Sequence, residues 1–284
     1  MNLNEIFEDA GIIVNSYQPV HGGDINKAYC LQSNGTQYFL KVNDADRYPQ
    51  MFEKEMNGLN ALREHSLLTI PNVIKCGRIE SQQFLLLEWI EKGQPAKDSW
   101  SNFGSGLAML HKQPRPFFGF TEDNFIGSLV QHNPSHSTWH SFYTECRVIP
   151  LVKMLFDAGS FAKEDIRNTE LFCKRIQTLF PPDPPALLHG DLWSGNFMIA
   201  NRGAVAIFDP AVYYGHREMD IGMTQLFGGF DRIFYAAYNE TYPLEKGWQQ
   251  RVPFTQLYPI LVHAVLFGGY YISNAKGIIN QFSW

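Results

Sequence analysis

Eight consecutive residues constrain this chain more than any others: His189-Gly190-Asp191-Leu192-Trp193-Ser194-Gly195-Asn196. They lie between two short apolar runs, 186–189 and 204–208, each of which reads as a strand around a polar turn. A carboxylate and a carboxamide five positions apart on one tight loop form a chemically specific pair. The carboxylate of Asp191 can accept the proton of a hydroxyl, and the carbonyl oxygen of Asn196 is a hard ligand suited to Mg²⁺. Downstream, Phe208-Asp209-Pro210 closes the second apolar run and offers Asp209 as a second, charged metal ligand. One base and two oxygen ligands suit phosphoryl transfer, in which positioning and charge neutralisation supply most of the catalysis.

The elements around the motif fall into two parts. In the first ninety residues, apolar runs flank Ser33-Asn34-Gly35, and a hairpin is expected there. Phe52, Met56, Leu59 and Leu62 recur at helical spacing. Residues 73–74 and 78–79 are weak strand candidates and 84–90 a strong one. The segment 91–95 breaks the pattern and reads as a linker. Beyond it, helices are expected over 103–111, 139–158 and 163–180, and a buried one over 257–272. A small, sheet-rich part at 1–90, a linker, and a larger, mostly helical part at 91–284 make an α+β, two-lobed arrangement.

A nucleotide clamp belongs upstream of the motif. Lys41 lies mid-strand in Phe39-Leu40-Lys41-Val42, where its ammonium can meet phosphates. Glu55 on the following helix is its expected partner, with Glu53 as the rival. The pair Gly22-Gly23 could cover phosphates with backbone N–H groups, although an ordinary turn would use the same residues. Glu88 and Ile90, where the strand runs into the linker, would offer main-chain groups to an adenine. An edge strand leaving a sheet is compatible with that role.

Bulk properties narrow the partners. The 284 residues carry 45% hydrophobic and 18% charged side chains with a net charge of −5, enough for a sizeable core and without the basic surplus that nucleic acid binding calls for. No secretory signal is visible at the start, and no apolar run reaches the roughly 20 residues of a membrane span. The four cysteines form no CxxC pair, so a reducing, cytoplasmic setting is expected. The oligomeric state is left open, a monomer included.

Asp191-Leu192 and Asn196 keep the spacing of the protein-kinase catalytic loop, with Gly190 for its arginine and Pro210 after the metal aspartate. The combination of H-G-D-L-W-S-G-N, F-D-P-A-V-Y-Y-G-H-R-E-M-D and L-F-G-G-F resembles the fructosamine kinase (ketosamine-3-kinase) family. The early G-G-D-I-N-K-A-Y, F-L-K-V-N and D-N-F-I-G-S segments resemble it too. The resemblance implies a protein-kinase-like fold and ATP-dependent phosphorylation of the C3 hydroxyl of a ketosamine. Release of the amine from the unstable 3-phosphate would make this a deglycation. Carried over, Asp191 is the base, Asn196 and Asp209 hold Mg²⁺, and Lys41 and Glu55 clamp the phosphates. Trp193 either stacks on the sugar or packs as a core tryptophan. Asn124, Trp139 and Arg147 fall in segments resembling the family's substrate side. His216, Arg217, Glu218 and Asp220 read as a helix-start network, with Asp220 able to hold the catalytic loop. Two other readings stand beside this one: a kinase for an aminoglycoside, choline or homoserine, and a nucleotide-binding module without catalysis.

Overall fold

The computed structural model describes residues 3–20, 25–113 and 115–282. The chain forms two compact units: residues 1–99 with 197–210, and residues 100–196 with 211–284. The division thus falls after Ser99, and a hairpin from beyond the catalytic motif belongs with the first unit.

In the first unit, α1 (Leu3–Ala10) is followed by β1 (Ser16–Val20), β2 (Lys27–Ser33), β3 (Thr36–Asp44), α2 (Met51–His65), β4 (Val73–Ile79) and β5 (Gln82–Glu88). The strands make one antiparallel sheet in the order β1-β2-β3-β5-β4. The β2–β3 turn has Asn34 at φ 49° and Gly35 at φ 83°. Two consecutive left-handed residues give the type I′ twist that suits a two-residue hairpin, which is why Asn-Gly stands there. Side chains alternate across β3. Leu40 and Val42 join Ile6, Phe7, Leu31, Phe84 and Leu86 in a core under α1. Lys41 and Asn43 point the other way, where Asn43 Nδ2 meets Met51 Sδ of α2 at 3.2 Å. The two weak strand candidates are one strand, β4, with an irregular register between Val73 and Lys75.

The segment read as a linker is pinned. Lys92 bridges Ala200, and Gly93 N–H donates to Ile199 O at 2.9 Å.

The second unit contains α3 (Ser99–His111, from Trp100 onward), a short hairpin of β6 (Asn124–Ile126) and β7 (Leu129–Gln131), α4 (Trp139–Tyr143), α5 (Ile149–Asp157) and α6 (Lys163–Leu179). Next comes β8 (Ala186–Leu188). The strands β9 (Phe197–Ile199) and β10 (Val205–Ile207) are the hairpin of the first unit. The chain then returns through β11 (Tyr213–Gly215), α7 (Glu218–Leu226), α8 (Arg232–Thr241), α9 (Trp248–Phe267) and α10 (Tyr270–Ile279). The two apolar runs around the motif are not partners: β8 pairs with β11, and β10 with β9. The expected helix at 257–272 is broken, because Gly268 and Gly269 take φ 68° and 58° and separate α9 from α10.

Between α4 and α5 the helical run widens into a π turn, Thr144–Val148, with Ile149 N–H bonded to Thr144 O. Pro150 supplies the reason. It has no N–H for Cys146 O, so the regular ladder cannot continue. That carbonyl instead accepts Arg147 Nη1 at 3.2 Å.

Among the described residues no helix is long and apolar enough to cross a membrane.

Candidate active site

In the first unit, β3 presents Lys41 toward α2 and toward the end of β10. Lys41 is buried, 5% exposed, and its ammonium donates to Glu55 Oε1 at 2.7 Å and to Asp209 Oδ1. Of the two candidate glutamates, Glu55 is the one in contact. Burial works against the ammonium, but the Asp209 and Glu55 carboxylates outweigh it and hold Lys41 charged well above its ordinary range. Burial pushes Glu55 the other way, upward, with Lys41 opposing and Asp209 adding repulsion. Two carboxylates on one ammonium leave negative charge uncompensated, which suits a further cation. Asp209 stands at φ 56°, a left-handed conformation that aspartate tolerates better than most residues. Its side chain is 44% exposed, with one oxygen on Lys41.

Glu88 ends β5. Its N–H donates to Asn72 O at 2.8 Å, and its carboxylate accepts both Asn72 N–H groups. Any main-chain group it offers an adenine is therefore its carbonyl. Ile90 lies just past the strand end. Gly22 and Gly23 lie outside the described residues.

In the second unit the catalytic motif follows β8 as a tight loop. Asp220, on α7, holds it from behind: its carboxylate accepts His189 N–H at 2.8 Å, Gly190 N–H at 2.9 Å and His111 Nε2 at 3.1 Å. Burial alone would raise the Asp220 carboxyl, but the bonds from His111 and the charges around it hold it below its ordinary value. The other ring nitrogen of His111, Nδ1, lies 2.9 Å from the Tyr238 hydroxyl, and burial pushes that phenol well above its ordinary value. The helix-start reading of this region holds. Arg217 bonds Asp183, and Arg251 takes the Glu218 carboxylate with two nitrogens.

Gly190, where protein kinases carry arginine, has two reasons to be glycine. Its φ is +84°, and a Cβ would meet Ala211 O at 2.0 Å. Across the loop, Asn196 Nδ2 donates to Asp191 O at 2.8 Å and to Asp191 Oδ2 at 3.0 Å. These bonds orient the Asp191 carboxylate and turn the Asn196 carbonyl oxygen away from it. Trp193 is half-buried, with its ring 5.5 Å from Phe227 in an edge contact. A Cβ on Gly195 would meet that indole at 2.4 Å, which accounts for the glycine before Asn196.

No group of three His, Cys, Asp or Glu side chains able to hold a metal occurs among the described residues. Mg²⁺ bound with a nucleotide takes one or two protein oxygens and completes its shell with phosphates and water.

Three expected substrate residues are placed differently. Asn124 is 5% exposed and spends its amide on Val212 O and on the side chains of Gln131 and Asn133. Trp139, 7% exposed, packs among Phe118, Tyr143, Phe180 and His216. Arg147 is fully buried, with its guanidinium over the rings of Phe142, Tyr213 and Tyr258. All three are buried: Asn124 and Arg147 bond neighbouring protein groups, and Trp139 packs among aromatic rings. The residues that brace the loop, His111, Gln131, Asn133 and Tyr238, carried no motif in the sequence; only His111, in L-A-M-L-H, stood in a recognisable segment.

The fructosamine kinase family model matches residues 3–283. The chain belongs to the fructosamine kinase family. A Synechocystis protein named a probable ketoamine kinase is 41% identical over 265 residues, 92% of this chain and 88% of its own. A crystal structure from Thermobifida fusca YX-ER1, assigned as a fructosamine-3-kinase, superposes with a TM-score of 0.88 at 32% identity, covering 99% of this chain and 97% of that one. Aminoglycoside phosphotransferase APH(4)-Ia, solved as a thermostable mutant with ADP and hygromycin B, shares the fold at a TM-score of 0.64 and 15% identity, covering 99% and 98%. The fold is thus protein-kinase-like, and this member of the fructosamine kinase family is an ATP-dependent kinase.

Proposed function

We propose that the protein phosphorylates the 3-hydroxyl of ketosamines, sugars joined to amines. Lys41, held by Glu55, takes the α- and β-phosphates of ATP. Asp191 accepts the proton of the attacking hydroxyl as the oxygen–phosphorus bond forms. Asp209 and Asn196 would hold Mg²⁺, which when bound neutralises charge on the phosphates. The Glu88 carbonyl and the main chain of Ile90 would face the adenine. Trp193, two residues from the base, offers a ring face to the sugar. Loss of phosphate from the unstable product would free the amine.

One observation carries the reading. A lysine is buried against carboxylates 14 and 168 positions away in the chain, an arrangement a solvent-facing strand lysine does not need. The family supplies the acceptor. The aromatic character of the last helices, with Phe254, Tyr258, Phe267, Tyr270 and Tyr271, argues against a polycationic acceptor of the aminoglycoside type.

The test is ATP consumption with Mg²⁺ against ribulosamines, fructosamines, choline and aminoglycosides in parallel. Turnover with the ketosamines is expected. Turnover with choline or an aminoglycoside alone would move the acceptor elsewhere, and nucleotide binding without turnover on any of them would leave only a binding module.

A further inference from the structure

Arg147 is fully buried in the π turn, and among the described residues no carboxylate pairs with it. Nη1 donates to His132 O at 2.7 Å and to Cys146 O, and Nη2 donates to Asn133 Oδ1 at 2.6 Å. A guanidinium has donors and no acceptor, so it dictates which way the next amide faces. Asn133 must turn its oxygen to Arg147 and its Nδ2 away, toward Asn124 Oδ1 at 3.0 Å. Asn124 must then point Nδ2 at Val212 O, 2.7 Å away. Gln131 Nε2 reaches both Asn124 Oδ1, at 2.7 Å, and Ala211 O, at 3.1 Å. Its own oxygen accepts Tyr258 O–H at 2.7 Å. Burial pushes that phenol up to about 12, so it remains a donor. Every link has one direction, and the chain ends on two consecutive carbonyls, Ala211 and Val212.

Those carbonyls belong to the strip that flanks the catalytic loop. Ala211 N–H donates to His189 O at 2.9 Å, and Ala211 O lies against the Cα of Gly190. The loop is therefore braced from one side by Asp220 and from the other by Ala211.

We propose that Arg147 is a positioning residue for phosphoryl transfer: as a pure donor it sets the direction of the Asn133–Asn124–Gln131 amide chain, and that chain holds the Ala211–Val212 strip and, through it, the loop bearing Asp191. The inference rests on Asp191 being the base. Arg147 touches no reacting atom. Its fixed charge sets the direction from the Asn133 end, and the Ala211 and Val212 carbonyls accept at the other.

Asn124→Asp isolates the effect. An aspartate keeps the oxygen that Gln131 and Asn133 donate to, and replaces the N–H on Val212 O with an oxygen that repels it. Arg147→Met removes the polarity, whereas Arg147→Lys keeps a donor without an acceptor. Steady-state kinetics are measured with the ketosamine the wild type accepts, alongside thermal melting by circular dichroism. We expect N124D to melt as a folded protein and to lose about tenfold or more in kcat, with both KM values within about threefold. We expect R147K to recover activity that R147M lacks. A folded N124D with wild-type kcat, or an R147K no more active than R147M, would overturn the proposal. Should R147M fail to fold, N124D decides alone. If the wild type turns over a ketosamine and N124D matches it, only this inference falls; if the wild type turns over none, the reading of Asp191 falls and takes this one with it.

Discussion

At Asp191 the geometry limits how the side chain can work. One oxygen is held by Asn196 Nδ2, which fixes the carboxylate plane relative to the loop. Replacing it with asparagine keeps the shape and removes the proton acceptor. We expect Asp191→Asn to retain ATP binding and to lower kcat by about 10²–10⁴, the usual size of a general-base contribution; rapid-quench turnover together with nucleotide titration checks both parts. Gly190 is the neighbouring constraint. Alanine there meets the Ala211 carbonyl and must hold φ near +84°, so Gly190→Ala is expected to cost about 1–3 kcal/mol in a denaturant melt and to lower activity as the loop shifts. A Gly190→Ala variant as stable and active as wild type would show that the strip and the loop move apart freely.

At the scale of elements, the start of α7 depends on pH. Burial holds His216 down to about 4, below its ordinary 6.5, with Asp183 opposing. Between these values the unfolded chain binds a proton that the folded one refuses. The contribution of His216 is therefore present above about 6.5 and is lost as pH falls toward 4, with a ceiling of about 3 kcal/mol. The melting temperature should fall across that window, and His216→Gln should flatten the fall; an unchanged slope would place the acid sensitivity elsewhere. Legibility differed element by element. The β2–β3 hairpin was readable because Asn34-Gly35 permits few other turns, and α2 because its apolar spacing is regular. The strands β9 and β11 went unread, although β8 and β10, equally short, were read from their apolar runs. The π turn follows from Pro150, but a proline in the first two positions of a helix reads equally well as an ordinary helix start. Asn124 and Arg147 were placed on the substrate side because their segments resemble the family's, while their burial is invisible in a sequence. Asn133 and Gln131 drew no attention for the same reason in reverse.

For the whole molecule, the fold class was legible because the motif, the strand lysine and the order of sheet and helices all pointed one way. The assignment of residues 197–210 to the first unit was not, since it depends on which short strands pair. The account makes a further demand on the chain as a whole. ATP with Mg²⁺ should raise its melting temperature by mass action, and Asp209→Ala should abolish the part that needs the metal. Equal stabilisation with and without Mg²⁺ in the wild type would remove Asp209 from the metal.

The most direct measurement is the identity of the product. Wild-type protein, ATP, Mg²⁺ and a ribulosamine or fructosamine, followed by ³¹P and ¹³C NMR, should give a phosphate ester at C3 and then free amine, with neither formed by Asp191→Asn on the same timescale. Phosphate appearing at another hydroxyl, or at C3 equally fast without the Asp191 carboxylate, would contradict the account.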